Sequence, residues 1–296
     1  MSNPSYAFIR YNIVDENDRI IEANTHGDLI RQLENQHAPH RNPMQQPPDY
    51  DTFIMQVEVL NLSAEDVILF DIARHIKNRV EHRYNPNAKK LNMVSTNADD
   101  TQWTRVVLVP RLNIAGIRNG TGDNKFSARS GVARIKSVVR HITGGDFRHE
   151  EAGKPEDMDE AIKRLNLTDF NFTVIPFNPH PSNPGQKLHD LLEASSVGRL
   201  RGDAKPKGLT MEVENDGLLD DVIGMSQKGY GQYGFEGRTD SGAEIAYKKP
   251  TMHQDKQKNL AERRKPMEMR AHVQQGNASR REEENVVKAI VELYGP

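Results

Sequence analysis

Apolar and β-branched residues dominate Tyr6–Val14 (YAFIRYNIV), which predicts an opening β-strand. A short helix follows, with Thr25 as its cap and Leu29, Ile30 and Leu33 on its apolar side. Ala38–Asp51 carries four prolines and little apolar material, so a loop is expected there. Phe53–Leu60 (FIMQVEVL) is a second strand. Ser63 with Asp66 three residues later has the form of a capping box. Beyond it Val67, Ile68, Phe70, Ile72, Ile76 and Val80 recur at mostly helical spacing, predicting a helix to about Arg83. Leu91–Ser95, Trp103–Val109 and Leu112–Ile117 follow as three strands of a meander.

The clearest helix runs over Ser127–Ile142. Val132, Ile135, Val139 and Ile142 step by three, four and three, so they share one buried stripe. Arg129, Lys136 and Arg140 step by seven and four and share another face; Gly144-Gly145 then stops the helix. Pro155 starts a further helix to about Leu165. The second half repeats a βαβαβ rhythm. Its elements are strand Phe170–Phe177, proline-rich Asn178–Gly185, helix Gln186–Ser195 with Leu188, Leu191 and Leu192 inward, strand Gly208–Glu214 and helix Leu218–Ser226. Gly229–Arg238 and Ala243–Lys248 form a hairpin across Thr239–Gly242. His253–Asn277 is polar and densely charged, a linker or a solvated helix, and a capping box at Ser279 and Glu282 opens a C-terminal amphipathic helix. That helix is expected to dock on the protein's own core, with docking on a second subunit as the rival.

The pattern predicts an α+β fold of mixed sheets with helices packed on one face. It divides into two similar βαβ-containing halves, 1–150 and 151–250, and a charged linker with the C-terminal helix over 251–296. At 296 residues the chain can bury a substantial core, although only 35% of residues are hydrophobic. There is no cysteine, which excludes disulfides, thiolate metal sites and thiol catalysis and suits a reducing compartment. Met1–Pro4 leads into a strand with no secretory signal pattern, and no run approaches the roughly 20 apolar residues a bilayer span needs. A cytoplasmic location without membrane insertion is therefore expected.

Charge changes the picture through its distribution. The net charge is only −2, yet Arg105–Arg148 holds nine Arg/Lys against Asp123 and Asp146, a local excess of seven. Six acids between Glu150 and Glu160 then reverse the sign. Arg118, Lys125, Arg129, Arg134, Lys136 and Arg140 are accordingly candidate phosphate contacts. The Asn119–Lys125 loop (NGTGDNK) would offer backbone amides beside the helix N-terminus. The opposing expectation is an ordinary solvated helix whose arginines pair with the Glu150–Glu160 stretch. Tyr230 and Tyr233, beside Lys228, are candidates for stacking on bases. Gly229–Gly234 matches G-x-G-x-x-G as a string, but a helix precedes it and strand-like residues follow, the reverse of a dinucleotide site. No cofactor or metal is predicted. Asp71, His75 and His82 would share a helix face without a ligand from another element. Glu58 with Asp99-Asp100 in a turn gives a metal-dependent nuclease as the enzymatic alternative.

Three stretches, Tyr6–Val14, Phe172–Pro184 and Ser226–Ile245, resemble a diffuse group of bacterial and prophage proteins, the RexA-like and Kiwa B-subunit-like defence proteins. The match lies as much in element order as in residues and covers a small part of the chain. The resemblance implies a DNA-binding subunit in antiphage defence, a homodimer, and a separate membrane-protein partner. It transfers no catalytic residue. The leading expectation is a non-enzymatic protein that binds DNA or RNA through phosphate contacts. A nuclease and a structural or interaction subunit of an oligomer are the alternatives.

Overall fold

A computed structural model describes residues 4–40, 50–85, 90–120, 126–151, 161–176, 185–227, 230–248, 269–272 and 281–295. They form two compact units, Ile9–Glu150 and Met1–Phe8 with Glu151–Pro296. The class is α+β, as the hydrophobic pattern predicts.

In the 9–150 unit the strands are β1 (Ser5–Val14), β2 (Ala38–His40), β3 (Tyr50–Leu62), β4 (Glu65–Asn85), β5 (Lys90–Val109), β6 (Ile114–Arg118) and β7 (Asp146–Glu151). They run in the order β2-β3-β4-β5-β6-β1, and β7 also pairs with β1. The helices are α1 (His26–Leu33) and α2 (Ala128–Thr143).

The helix expected after Ser63 is strand β4. Val67 to Ala73 are all buried, so this strand is covered on both faces and shows an apolar run, broken only by Asp71, rather than an alternation. Its start is a two-residue hairpin turn and not a capping box. Leu62 pairs with Glu65, and Ser63 and Ala64 both have positive φ, 52° and 65°, as a primed turn requires. Leu91–Ser95 and Trp103–Val109 are parts of the single strand β5, which also contains Asp99 and Asp100. Asp71 and His75 lie on β4, where Arg105 Nε meets Asp71 Oδ1 at 2.8 Å and His75 Nδ1 lies 3.0 Å from Thr101 Oγ1. The expected loop at 38–51 begins and ends in strand, at β2 and β3.

The unit of residues 1–8 and 151–296 contains β8 (Asn166–Val174), β9 (Leu200–Ala204), β10 (Gly231–Arg238), β11 (Glu244–Lys248) and β12 (Met269–His272). Its order is β1-β12-β11-β10-β8-β9, with Ser5–Ala7 of β1 paired to β12. The helices are α3 (Gln186–Ala194), α4 (Leu218–Gln227) and α5 (Arg281–Tyr294), and residues 161–163 are also helical. Three expectations shift here. Gly208–Glu214 contributes only a bridge from Met211 to Leu167, while the strand itself lies upstream, at β9. Leu191 is 62% exposed, whereas Leu188 and Leu192 are buried. Part of the charged 253–277 segment supplies β12, held by antiparallel pairing to both β1 and β11.

The apolar face of α5 is covered within this chain. Val286, Val287, Ala289, Ile290 and Leu293 are buried, Tyr6 Oη donates to Glu282 Oε1 at 2.7 Å, and the Phe8 and Tyr294 rings meet edge to face at 6.3 Å. Docking on the protein's own core is thus the outcome.

The β3–β4 turn gives a direct test of the strand assignment. Asn-Gly tolerates positive φ far better than Ser-Ala. Replacing Ser63→Asn together with Ala64→Gly is therefore expected to raise the urea unfolding midpoint, by about 1 kcal/mol of stability. A lowered midpoint would contradict the turn.

Candidate nucleic-acid interface

Helix α2 forms where the pattern places it, and its ends have local causes. Ser127 is the N-cap, its Oγ accepting from the Ser130 amide at 3.2 Å, and Asn119 Oδ1 accepts from the Ala128 amide at 3.2 Å. Ala128, Gly131, Val132, Ile135, Val138 and Val139 are buried. At the far end Gly144 is left-handed at φ 73°. Gly145 passes so close to the Val14 carbonyl oxygen that a Cβ there would collide with it. Two glycines therefore reverse the chain tightly and deliver β7 against β1, where Phe147 stacks on Tyr11 at 5.3 Å.

This reversal decides the fate of two predicted cations. Asp146, the next residue, sits 3.2 Å from Lys136 Nζ and 3.1 Å from Arg140 Nη2. The acid that meets the basic face is thus Asp146; residues 152–160, the bulk of the acidic stretch, lie outside the described residues. Burial pushes the Asp146 carboxyl up, but the hydrogen bonds and charges of Lys136 and Arg140 outweigh it and hold the group below its usual range. A depressed carboxylate pKa contributes stability that is complete above the unfolded value and is lost as pH falls through the folded one. The His149 imidazole is shifted down, first by desolvation and then by the Lys136 charge, against a smaller upward pull from Asp146.

The other candidates separate by environment. Arg129 is exposed in the first turn of α2, with no ion pair among the described residues. Arg134 is half-buried: its Nη1 donates to Tyr50 Oη at 2.6 Å and its guanidinium lies 4.5 Å from the Tyr50 ring centre, a packing role that hydropathy does not reveal. Arg118 ends β6, where its carbonyl accepts the Thr104 hydroxyl. Lys125 and Lys228 lie outside the described residues.

Tyr233 is only 5% exposed. Its ring stacks on Phe170 at 5.5 Å and lies near Phe235 and Tyr247, so its faces serve the core and not a base. Tyr230 is half-buried at the mouth of β10; its amide donates to Met225 and its carbonyl accepts from Ile175. The G-x-G-x-x-G string follows α4, and its residues from Gly231 on already lie in β10, the order that argues against a dinucleotide site.

Among the described residues no group of three His, Asp or Glu is arranged to hold a metal ion, and no helix is long and apolar enough to cross a membrane. A cleft of about 400 Å³ between α3 and α4 is lined by Lys163, Lys187, Asp216, Asp220 and Asp221. Four of these charges pair within the cleft, Lys163 with Asp220 at 3.5 Å and Lys187 with Asp216 at 3.8 Å, while burial pushes the Asp221 carboxyl up. No family model matches the chain, and no curated protein matches it by sequence.

The Lys136 charge makes a titration test. Lys136→Met is expected to raise the His149 pKa toward its ordinary value, followed through the imidazole resonances by NMR between pH 4 and 8. An unmoved His149 would place Lys136 away from β7.

Proposed function

We propose that the chain binds nucleic acid, DNA in the first instance, through the phosphate backbone and along the exposed face of α2. The observation that carries this reading is the helix's charge. Its sequence, ARSGVARIKSVVRHIT, has four Arg/Lys and no acid, and Arg129 is solvent-exposed with no ion pair among the described residues. Lys136 and Arg140 follow on the same face, converged on one carboxylate. An oxyanion held between a lysine and an arginine is the arrangement a phosphate would adopt, and Asp146 occupies it from within the chain. Ligand binding on this face is then a competition between phosphate and Asp146.

Contacts of this kind position a backbone and carry little sequence information. Sequence-tolerant, salt-sensitive binding is the consequence. The resemblance to RexA-like and Kiwa B-subunit-like proteins extends the proposal to antiphage defence, with a homodimer and a membrane-protein partner.

Two variants test the reading in opposite directions. Arg129→Glu with Arg140→Glu is expected to weaken binding to a labelled duplex by about tenfold or more and to flatten its salt dependence. Asp146→Asn frees Lys136 and Arg140 and is expected to tighten binding severalfold. Fluorescence anisotropy at two salt concentrations reads both. Unchanged affinity in both folded variants removes α2 from the account.

A further inference from the structure

A second basic stretch, Arg199–Lys207, runs through edge strand β9 and past both its ends, outside the charge cluster that the sequence emphasises. From Arg199 to Lys207 the burial alternates strictly. Arg199, Arg201, Asp203, Lys205 and Lys207 are exposed, and Leu200, Gly202, Ala204 and Pro206 are half-buried. Four of the five outward residues are cations.

The inward side explains why the strand is held flat. Val174, Phe172 and Phe170 of β8 pair with Leu200, Gly202 and Ala204. Gly202 lies directly on the Phe172 ring, where an added Cβ would come within 2.7 Å of Cζ. Phe172 and Phe170 in turn oppose Tyr233 and Phe235 of β10, and Ser226 of α4 lies against Gly231 on that side. Helix and aromatic residues thus occupy the inner face. On the outer face Arg201 pairs across to Thr173 and then Gln232, and Asp203 to Asn171 and then Gly234. Thr173, Gln232, Asn171 and Gly234 are small or neutral; the carboxylates of this face are Asp203 in the row itself, Asp169, which pairs with Lys205, and Glu236 beyond it.

We infer that the exposed side of the Arg199–Lys207 segment, which β9 holds at the sheet edge, is a track for the phosphate backbone of single-stranded nucleic acid, contacted by Arg199, Arg201 and Lys207. The inference rests on the reading that the ligand is nucleic acid, but uses a surface in the other unit. Alternate residues of an extended chain stand about 6.6 Å apart, which sets Arg199 and Arg201 one such interval apart, with Asp203 and Lys205 between Arg201 and Lys207. Lys205 is ion-paired with Asp169 of β8 and is therefore left out of the contacts. Arg199, Arg201 and Lys207 have no ion pair among the described residues. Lys and Arg also guard sheet edges against pairing with other strands. Here the exposed cations reach beyond the strand at both ends, to Arg199 and to Lys207.

The test measures a labelled thymidine oligomer of about 20 nucleotides, a duplex of equal length and poly-glutamate against three full-length proteins. These are the wild type, R199E/R201E/K207E and R129E/R140E. The edge variant is expected to lose single-strand affinity by about tenfold or more, with the log–log salt slope falling by about two, as three lost phosphate contacts require. R199Q/R201Q/K207Q, gentler on the fold, should move in the same direction.

A folded edge variant with wild-type affinity and slope overturns the inference, whatever the α2 variant does. An edge variant that aggregates while its soluble fraction binds normally also overturns it, and makes the row an edge guard. So does poly-glutamate bound as tightly as the oligomer and lost in the same variant, since the surface would then fit acidic peptide. Loss confined to the α2 variant leaves the proposed function standing without the edge. Loss confined to the edge variant supports the edge and removes α2.

Discussion

The candidate interface depends on the reversal at Gly144-Gly145. A longer or looser turn would let β7 leave the helix, and Lys136 and Arg140 would extend into solvent as free cations. Instead Gly144 takes a left-handed conformation and Gly145 passes against the Val14 carbonyl, a position closed to any side chain. Asp146 is thereby returned onto the face of the helix that has just ended. The steric fact fixes the electrostatic one: of the three cations assigned to this face, two are bound to an internal carboxylate and one, Arg129, is not.

That distinction shows how far hydrophobic pattern reaches. Helix α2 is legible because it is amphipathic on a sheet: its stripe, its serine cap and its terminal glycines all point to one element. β4 is not legible, because burial on both faces erases the period-two signal and leaves Val67, Ile68, Phe70 and Ile72 at spacings a helix would also use. The turn before it compounds the error. Ser63 and Ala64 adopt positive φ without glycine or asparagine, so nothing in their chemistry announces a hairpin.

The basic side chains divide in the same way. Periodicity tells which face a residue takes but not what stands opposite. Arg134 has the charge of a phosphate contact, yet Tyr50, distant in sequence, receives its Nη1 and its π-face. Tyr233 carries the chemistry of a stacking platform, but the alternation of β10 turns it toward Phe170 and Phe235. The cations of β9 escape notice for the converse reason. Gly202 and Ala204 are too small to mark an apolar side, so Arg-Leu-Arg-Gly-Asp-Ala lacks the hydrophobic alternation by which a strand is recognised. Only pairing with Phe170 and Phe172 makes their side an inner face.

Net charge limits what either surface can achieve. A chain at −2 is not drawn as a whole toward a polyanion, so long-range attraction adds little to association. In the proposed binding, affinity would come from short-range contacts with few phosphates, each adding less than one unit to the salt slope. On α2 that gain would be reduced further, because Lys136 and Arg140 would have to exchange Asp146 for a phosphate rather than emerge from water. Arg199, Arg201 and Lys207, in and beside β9, would break no described ion pair in the proposed contact. For equal numbers of phosphates the edge strand is therefore the less costly surface. This ordering follows from where the carboxylates sit and not from how many basic residues each segment contains.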